Sequence, residues 1–447
     1  MLEALSLQPG KGLNVAMRIL LLGGGGREHA FAWKLAQDPG CSALFIAPGN
    51  AGTAECGTNV PLSPTDFAGI RDFAAAQRID MVVVGPEEPL VRGIVDFFQA
   101  DPALSSVALI GPPASGARLE GSKAFAKQFM ARRGIPTAAY REVLDVATGA
   151  AFLRTLSPPY VIKADGLAAG KGVLIVEEYT AAVQALERML AGQFGEAGRR
   201  VVIESFLPGV EFSVFVLTDG DSYCLLPEAK DYKRVGEGDT GPNTGGMGAV
   251  SPVPFVDAAL WKKVEERIIA PTIRGLKEEQ IPYKGFLFFG LMNVGGDPYV
   301  VEYNCRMGDP ETEVVLPRLK NHLTDLFRAT AAGRLRDVSI EVLPDTATAV
   351  VLTAGGYPGE YRKGDPITLL PQPGCLYFHA GTTRSPEGRL LTNGGRVMAV
   401  TSLGPDITAA VRQSLGAAEK VHFEGKYYRR DIGSDLLPPA TIKQASK

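Results

Sequence analysis

The first hundred residues alternate between short, wholly apolar runs and segments whose apolar side chains recur at helical spacing. The runs "RILLLG", "ALFIA", "MVVV" and "VALI" predict buried strands. Each leads into a glycine- or proline-rich turn: Gly23-Gly24-Gly25-Gly26, Pro48-Gly49-Asn50-Ala51-Gly52-Thr53, Gly85-Pro86-Glu87 and Gly111-Pro112-Pro113. Between them lie three helices. One runs through His29, Ala30 and Trp33, and a second carries the stripe Phe67, Ile70, Phe73 and Ala74 behind a cap at Thr65 or Asp66. The third places Leu90, Gly93, Ile94, Phe97 and Phe98 on one face.

Alternating strands and helices predict a parallel sheet, and such sheets bind ligands beyond the carboxyl ends of their strands. Any one of the glycine loops reads as a tight strand–helix turn. Four on one edge point to a small phosphorylated ligand met by backbone N–H groups. A dinucleotide fits less well. The spacing G-x-G-x-x-G fails from Gly23, where the last position is Glu28, and from Gly24, where it is His29. Arg27 and His29 near the helix start suit a phosphate contact or a capping or surface role equally.

Further on, "SKAFAKQFMARRG" predicts a helix from about 122 to 135, and residues 159–217 read mainly as strands around a glycine loop. Residues 228–252 are rich in Gly, Pro, Asp and Lys without an apolar period, which predicts a long functional loop. After residue 330 a shorter α+β segment follows, with "ATAVVLTAGGYPG", "CLYFHAGT", "TNGGRVMAV", a helix from about 405 and a loose tail after about 434.

Bulk properties narrow the class. A chain of 447 residues is too long for one core, so two to four domains are expected. With 45% apolar and 21% charged residues it has a soluble globular composition. A net charge of −3 gives no footprint for nucleic acid or an anionic membrane, and the longest apolar runs fall far short of a membrane span. Five scattered cysteines without a C-x-x-C pair point to a reducing cytoplasm and away from a disulfide framework or zinc site. Residues 1–16 lack the features of a signal or transit peptide and read as a disordered extension or a misassigned start before Met17.

Three stretches carry chemistry. "YVIKADGLAAGKGVLIV" is strand, glycine loop and strand, with Lys163 among apolar neighbours and Lys171 in the loop. It is not a Walker A loop, yet a glycine hairpin can fold its N–H groups over a triphosphate, and a lysine in a strand wants an anion. "VVIESFLPGVEFSVFV" offers backbone at Ser205–Leu207 for an adenine edge and Glu211 for a ribose, although taken alone it reads first as an ordinary hairpin with surface glutamates. In "VVEYNCRMGDPETE", Glu302, Asn304 and Arg306 alternate with Tyr303 and Cys305, so a strand would put all three on one face. Two oxygen ligands there suit Mg²⁺, which keeps phosphate oxygens for its other positions, and the guanidinium fork would reach the same phosphate. A structural salt-bridge strand is the alternative.

With these stretches in view, the chain resembles the ATP-grasp superfamily and, within it, the glycinamide ribonucleotide synthetase family. The likeness runs from about Arg18 to Gly433 and rests on "GGGGREHA", "APGNAGT", "VGPEEPLV", "LEGSKAF", "VIKADGLAAGKGV", "DTGPNTGGMGA", "EYNCRMGDPET" and "TNGGRV". It implies a multidomain α/β and α+β fold. An N-terminal parallel-sheet domain would cover 17–121, and an ATP-grasp domain 122–331, with a mobile lid at about 136–205. A C-terminal α+β domain would follow over 332–433, with a tail at 434–447.

The implied activity joins glycine to the amine of 5-phosphoribosylamine in de novo purine synthesis. ATP becomes ADP and phosphate through glycyl phosphate. By the resemblance, Lys123 and Lys163 hold ATP phosphates and the Gly170-Lys171-Gly172 loop closes over them. Glu204, Phe206 and Leu207 form the adenine hinge, and Glu211 holds the ribose. Glu302 and Asn304 bind Mg²⁺ or Mn²⁺, while Arg306 stabilises the transferring phosphoryl. Asp231 through Gly248, including Gly245 and Gly246, shape the glycine site together with Asp309. Gly24, Gly25, Gly26, Asn50 and Glu87 line the phosphoribosylamine pocket. The family would act as a monomer or weak homodimer.

The strand before the E-x-N strand, "KGFLFFGLMNV", has no acid where many superfamily members carry a second metal ligand, so one ion with two protein ligands is expected. Competing readings are another ATP-grasp ligase or carboxylase of purine synthesis, a Rossmann oxidoreductase, disfavoured by the failed fingerprint, and a non-catalytic nucleotide-binding module.

Overall fold

The computed structural model describes residues 16–167 and 172–437. At its N-terminal end is the expected parallel sheet, in the order Thr58–Asn59, Cys41–Pro48, Met17–Gly23, Met81–Val84, Ala108–Ile110. The central strand is covered on both faces, with Ile19, Leu20, Leu21 and Leu22 fully buried, as parallel sheets require. Gly23, at φ +119°, turns the chain sharply into the helix Gly26–Ala36. A Cβ on Gly24 would lie 2.6 Å from the Gly49 carbonyl oxygen, so glycine there lets the first two loops touch.

Two antiparallel sheets follow. The first runs Tyr140–Val143, Val201–Ser205, Tyr160–Ala164, Val173–Val176. Its inward side chains, such as Ile162 and Ile203, share a core with Leu153 of the helix Val146–Leu153 and with Ala182, Ala185 and Leu186 of the helix Tyr179–Arg188. That last helix was not expected from the sequence, which read residues 159–217 mainly as strands. Its buried Ala182, Ala185 and Leu186 do recur at helical spacing, a signal present in the sequence. The second sheet runs Tyr223–Leu225, Val210–Thr218, Gly285–Val294, Asp297–Asn304. Glu302 pairs with Gly290, whose missing side chain leaves room for the glutamate: a Cβ there would lie 3.0 Å from Glu302 Cγ.

The last large sheet corrects the sequence reading of residues 228–252 as one irregular loop. Lys230–Asp231 and Gly248–Ser251 are strands that pair antiparallel and join Thr346–Thr353, Arg396–Gly404 and Cys375–His379 in one five-stranded sheet. Between them Arg234–Gly236 and Thr240–Asn243 form a hairpin. The helix Ile407–Glu419, capped by Asp406 accepting from the Ala409 N–H, covers this sheet with Ala417 and Ala418 against Val350 and Val400. Ser434–Leu436 makes one 3₁₀ turn, held where Tyr232 donates to Asp435 at 2.6 Å and Lys230 pairs with it at 3.1 Å. The chain therefore remains packed past residue 433. Among the described residues no helix is long and apolar enough to cross a membrane.

Candidate active site

One cleft of about 520 Å³ lies where all of these units meet. The strand Asp297–Asn304 and its extension supply Glu302, Asn304 and Arg306, and all three border the cleft. Lys163, Phe206 and Leu207 reach it from the sheet of Tyr160–Ala164 and the turn after it, Glu211 from the next strand, and Arg27 and Glu87 from the loops of the parallel sheet. Asp231, Gly245, Asp309, Glu311 and Arg396 form the far wall. A smaller chamber of about 170 Å³ adjoins it, sharing Lys163, Glu302, Asn304 and Arg306 and adding Lys123 and Gly172. Gly170 and Lys171 lie outside the described residues.

Arg306 is held from two sides. Its Nη2 meets Glu120 at 2.8 Å and its Nε meets Glu87 at 3.3 Å. Burial opposes the guanidinium charge, but Glu120 and Glu87 hold its pKa above the usual arginine value. Glu120 also accepts from the Cys305 N–H at 2.8 Å, which locks the turn after the strand. A cation fixed by two acids keeps its orientation without reorganisation, which is what a developing phosphoryl charge needs.

Deeper in the cleft, Lys127 and Lys163 both pair with Glu204 at 2.9 Å, and all three side chains are buried. Burial pushes Lys127 down to about 8 against the pull of Glu204. Lys163 also donates to the Val301 carbonyl at 3.2 Å, tying one sheet to the other beside Glu302. Lys123 donates to the Gly166 carbonyl at 3.0 Å, at the entry to the glycine loop. Lys233 pairs with Glu211 and, at 3.8 Å, with Glu302.

The far wall is acidic. Burial pushes Asp231 up to about 8, opposed by Lys233 and reinforced by Glu311. Glu311 is raised by burial as well. Asp309 stays below the ordinary carboxylate value despite burial, because Arg396 lies 3.0 Å away and Arg27 is near. Its neighbour Glu313 is raised by burial and by Asp309. Among the described residues the crowded Asp231 and Glu311 lack a matching cation, so a small ligand carrying an ammonium group would draw both back to the carboxylate form.

The strand also presents the groups that a hard divalent ion takes. Asn304 borders the cleft beside Glu302, and its enclosed Nδ2 has no hydrogen-bond partner, so the amide is not committed to another group of the fold. Among the described residues no group of three or more His, Cys, Asp or Glu is arranged to hold a metal. Glu302 and Asn304 fit an ion that draws its remaining ligands from phosphate and water.

Comparison with known proteins places this geometry. Models of the phosphoribosylglycinamide synthetase N, ATP-grasp and C domains match residues 17–120, 121–312 and 347–435 in turn. A phosphoribosylamine–glycine ligase of Pseudomonas aeruginosa is 48% identical over 425 residues, covering 93% of this chain and 97% of that protein. The chain belongs to the phosphoribosylglycinamide synthetase family. The crystal structure of a phosphoribosylamine–glycine ligase from Thermotoga maritima superposes with a TM-score of 0.81 at 40% identity, over 93% of this chain and 100% of that one. The fold extends to more distant proteins. The biotin carboxylase domain of 2-oxoglutarate carboxylase from Hydrogenobacter thermophilus, in complex with ADP, magnesium and bicarbonate, has a TM-score of 0.70 at 17% identity, covering 92% of each chain.

In this synthetase, then, Glu302, Asn304, Arg306, Lys163, Phe206, Leu207, Glu211, Asp231, Asp309, Glu87 and Gly245 come together on one cleft. Glu204 also borders it, but its carboxylate is spent on two lysines, which leaves its backbone for any hinge contact. Gly246, at φ +115°, packs against Pro310 behind the cleft. Asn50 does not border it either. Its Nδ2 donates to the carbonyls of Gly24 at 3.0 Å and His379 at 2.7 Å, and its Oδ1 accepts from Gly52 and Thr53, so it joins two loops to the C-terminal sheet. Gly25 and Gly26 start their helix against Asp309 and Glu313, where a Cβ on Gly26 would lie 2.4 Å from Glu313 Oε1. His29 is buried, its Nδ1 accepting from the His379 N–H at 2.7 Å, which rules out the surface role left open for it.

Sequence reasoning missed Glu120, Lys127, Lys233, Glu311, Glu313 and Arg396. A signal for Lys127 was present: it falls four residues after Lys123 on the helix Lys123–Arg133, hence on the same face.

Proposed function

We propose that the chain joins glycine to the amine of 5-phosphoribosylamine, with ATP converted to ADP and phosphate through glycyl phosphate, in purine biosynthesis. The observation that carries this reading is that one cleft joins a wall of Glu302, Asn304 and Arg306 to an acidic wall of Asp231, Glu311 and Asp309. The first wall suits a nucleotide's terminal phosphate, the second an amino acid's ammonium.

Carboxylates are poor electrophiles, so one glycine oxygen first attacks the γ-phosphorus. Arg306, oriented by Glu120 and Glu87, neutralises the equatorial oxygens, and Lys163 and Lys123 hold the remaining phosphates. A Mg²⁺ or Mn²⁺ ion would be held by Glu302 and Asn304 and would supply further neutralisation of phosphate charge. Phe206 and Leu207 meet the adenine, and Glu211 takes the ribose hydroxyls. Asp231 and Asp309 hold the glycine ammonium so that its carboxylate faces Arg306. The Gly24–Gly26 turn would line the phosphoribosyl pocket through its backbone, with the Gly25 N–H taken by Glu28 at 2.7 Å and Asn50 setting the loop's shape. The amine nitrogen then attacks the acyl carbon, the C–O bond to phosphate breaks, and the amide forms. Five unpaired cysteines accord with a cytoplasmic setting.

Coupled ADP release with glycine and phosphoribosylamine supplied singly and together tests the proposal. Sustained release is expected only with both. Release driven by bicarbonate with neither would overturn it in favour of a carboxylase.

A further inference from the structure

Lys233 is not accounted for by the phosphoryl-transfer scheme, yet its ammonium sits between the two acids to which that scheme gives separate tasks. It pairs with Glu211, the ribose acid, and lies 3.8 Å from Glu302, the metal acid. The stem belongs to the far wall. The Lys233 carbonyl accepts from Thr244 N at 2.7 Å and from Thr244 Oγ1 at 2.8 Å. Thr244 Oγ1 in turn accepts from Gly246 N at 2.9 Å, and the Gly245 carbonyl accepts from Arg396. One residue thus links the acids of the nucleotide side to the backbone that frames the acidic wall.

We propose that the Lys233 ammonium is an internal counter-ion that competes with the divalent cation for Glu302, so that metal binding displaces it and loosens the segment from Arg234 to Gly246. An ammonium and a divalent ion cannot both lie against one carboxylate in a poorly solvated cleft without strong repulsion. The lysine leaves first, since Asn304 and water, joined by phosphate oxygens when a nucleotide is present, add to the ion's ligands and give the lysine nothing. The inference rests on Glu302 being a metal ligand, and the test separates the two.

Mn²⁺ alone serves as the probe, with its binding to the full chain followed by loss of the free-ion electron paramagnetic resonance signal. Lys233→Met is expected to tighten Mn²⁺ binding about tenfold. Lys233→Arg, which keeps the charge, should stay near the native value. Lys277→Met removes the same charge from an exposed lysine paired with Asp221, outside the cleft, and should leave binding unchanged. Mn²⁺ should also speed hydrogen exchange over residues 234–246 in the native chain but not in Lys233→Met.

Equal tightening by Lys277→Met, or none by Lys233→Met, overturns the competition, and an unchanged exchange pattern in the native chain overturns the coupling. Glu302→Gln isolates the underlying reading: if it leaves Mn²⁺ binding intact, Glu302 is not a ligand and both ideas fall. Should Lys233→Met not fold, Lys233→Gln carries the same expectation.

Discussion

Glu302→Ala lowers kcat by at least about a thousandfold at saturating Mg²⁺, with the fold intact. The effect is large because the carboxylate serves the reaction centre directly, and the facing position on the adjacent strand, Gly290, offers no acid in its place. The fold survives because the Glu302 side chain is about one-third exposed and Lys233 keeps its pairing with Glu211. Initial rates over a Mg²⁺ titration, with circular dichroism as the structural control, check this. Activity within tenfold of native at saturating metal contradicts the ligand assignment.

Glu204→Met should be the most damaging substitution for structure. It leaves Lys127 and Lys163 buried with no counter-charge, for which a loss of about 3–5 kcal/mol is expected. Since the chain has several units, the loss is best read locally. Amide exchange in Tyr160–Ala164 and Val201–Ser205 should accelerate by about two to three orders of magnitude. Replacing Lys127 and Lys163 by methionine as well should recover most of the protection, because a fully apolar set has no stranded charge. A single Glu204→Met variant with native exchange in both strands would show that the triad contributes nothing.

The sequence made some of this site legible and hid the rest for physical reasons. The period of two around Tyr303 placed Glu302, Asn304 and Arg306 together, because side-chain alternation in a strand follows from the backbone. The same logic gave the parallel sheet from four apolar runs of four to six residues. Residues 228–252 defied it. Their strands are two to four residues long, too short to show a period, and they exist because Thr346–Thr353, about a hundred residues later, offers a partner edge. Buried charge was equally hidden. Glu120, Lys127, Glu311 and Glu313 look like ordinary surface residues in a list, and only the packing of separate units shows that each is enclosed. Asn50 is a third case: a polar residue in a glycine loop suggests a ligand, whereas here it is used up in holding loops together.

The central claim is that this cleft activates the glycine carboxylate by phosphorylating it. Glycine carrying ¹⁸O in both carboxylate oxygens tests it most directly, with the phosphate product examined by mass spectrometry. Transfer of one ¹⁸O per turnover into phosphate, with the other retained in the amide, is the predicted result. Phosphate free of the label would contradict the account.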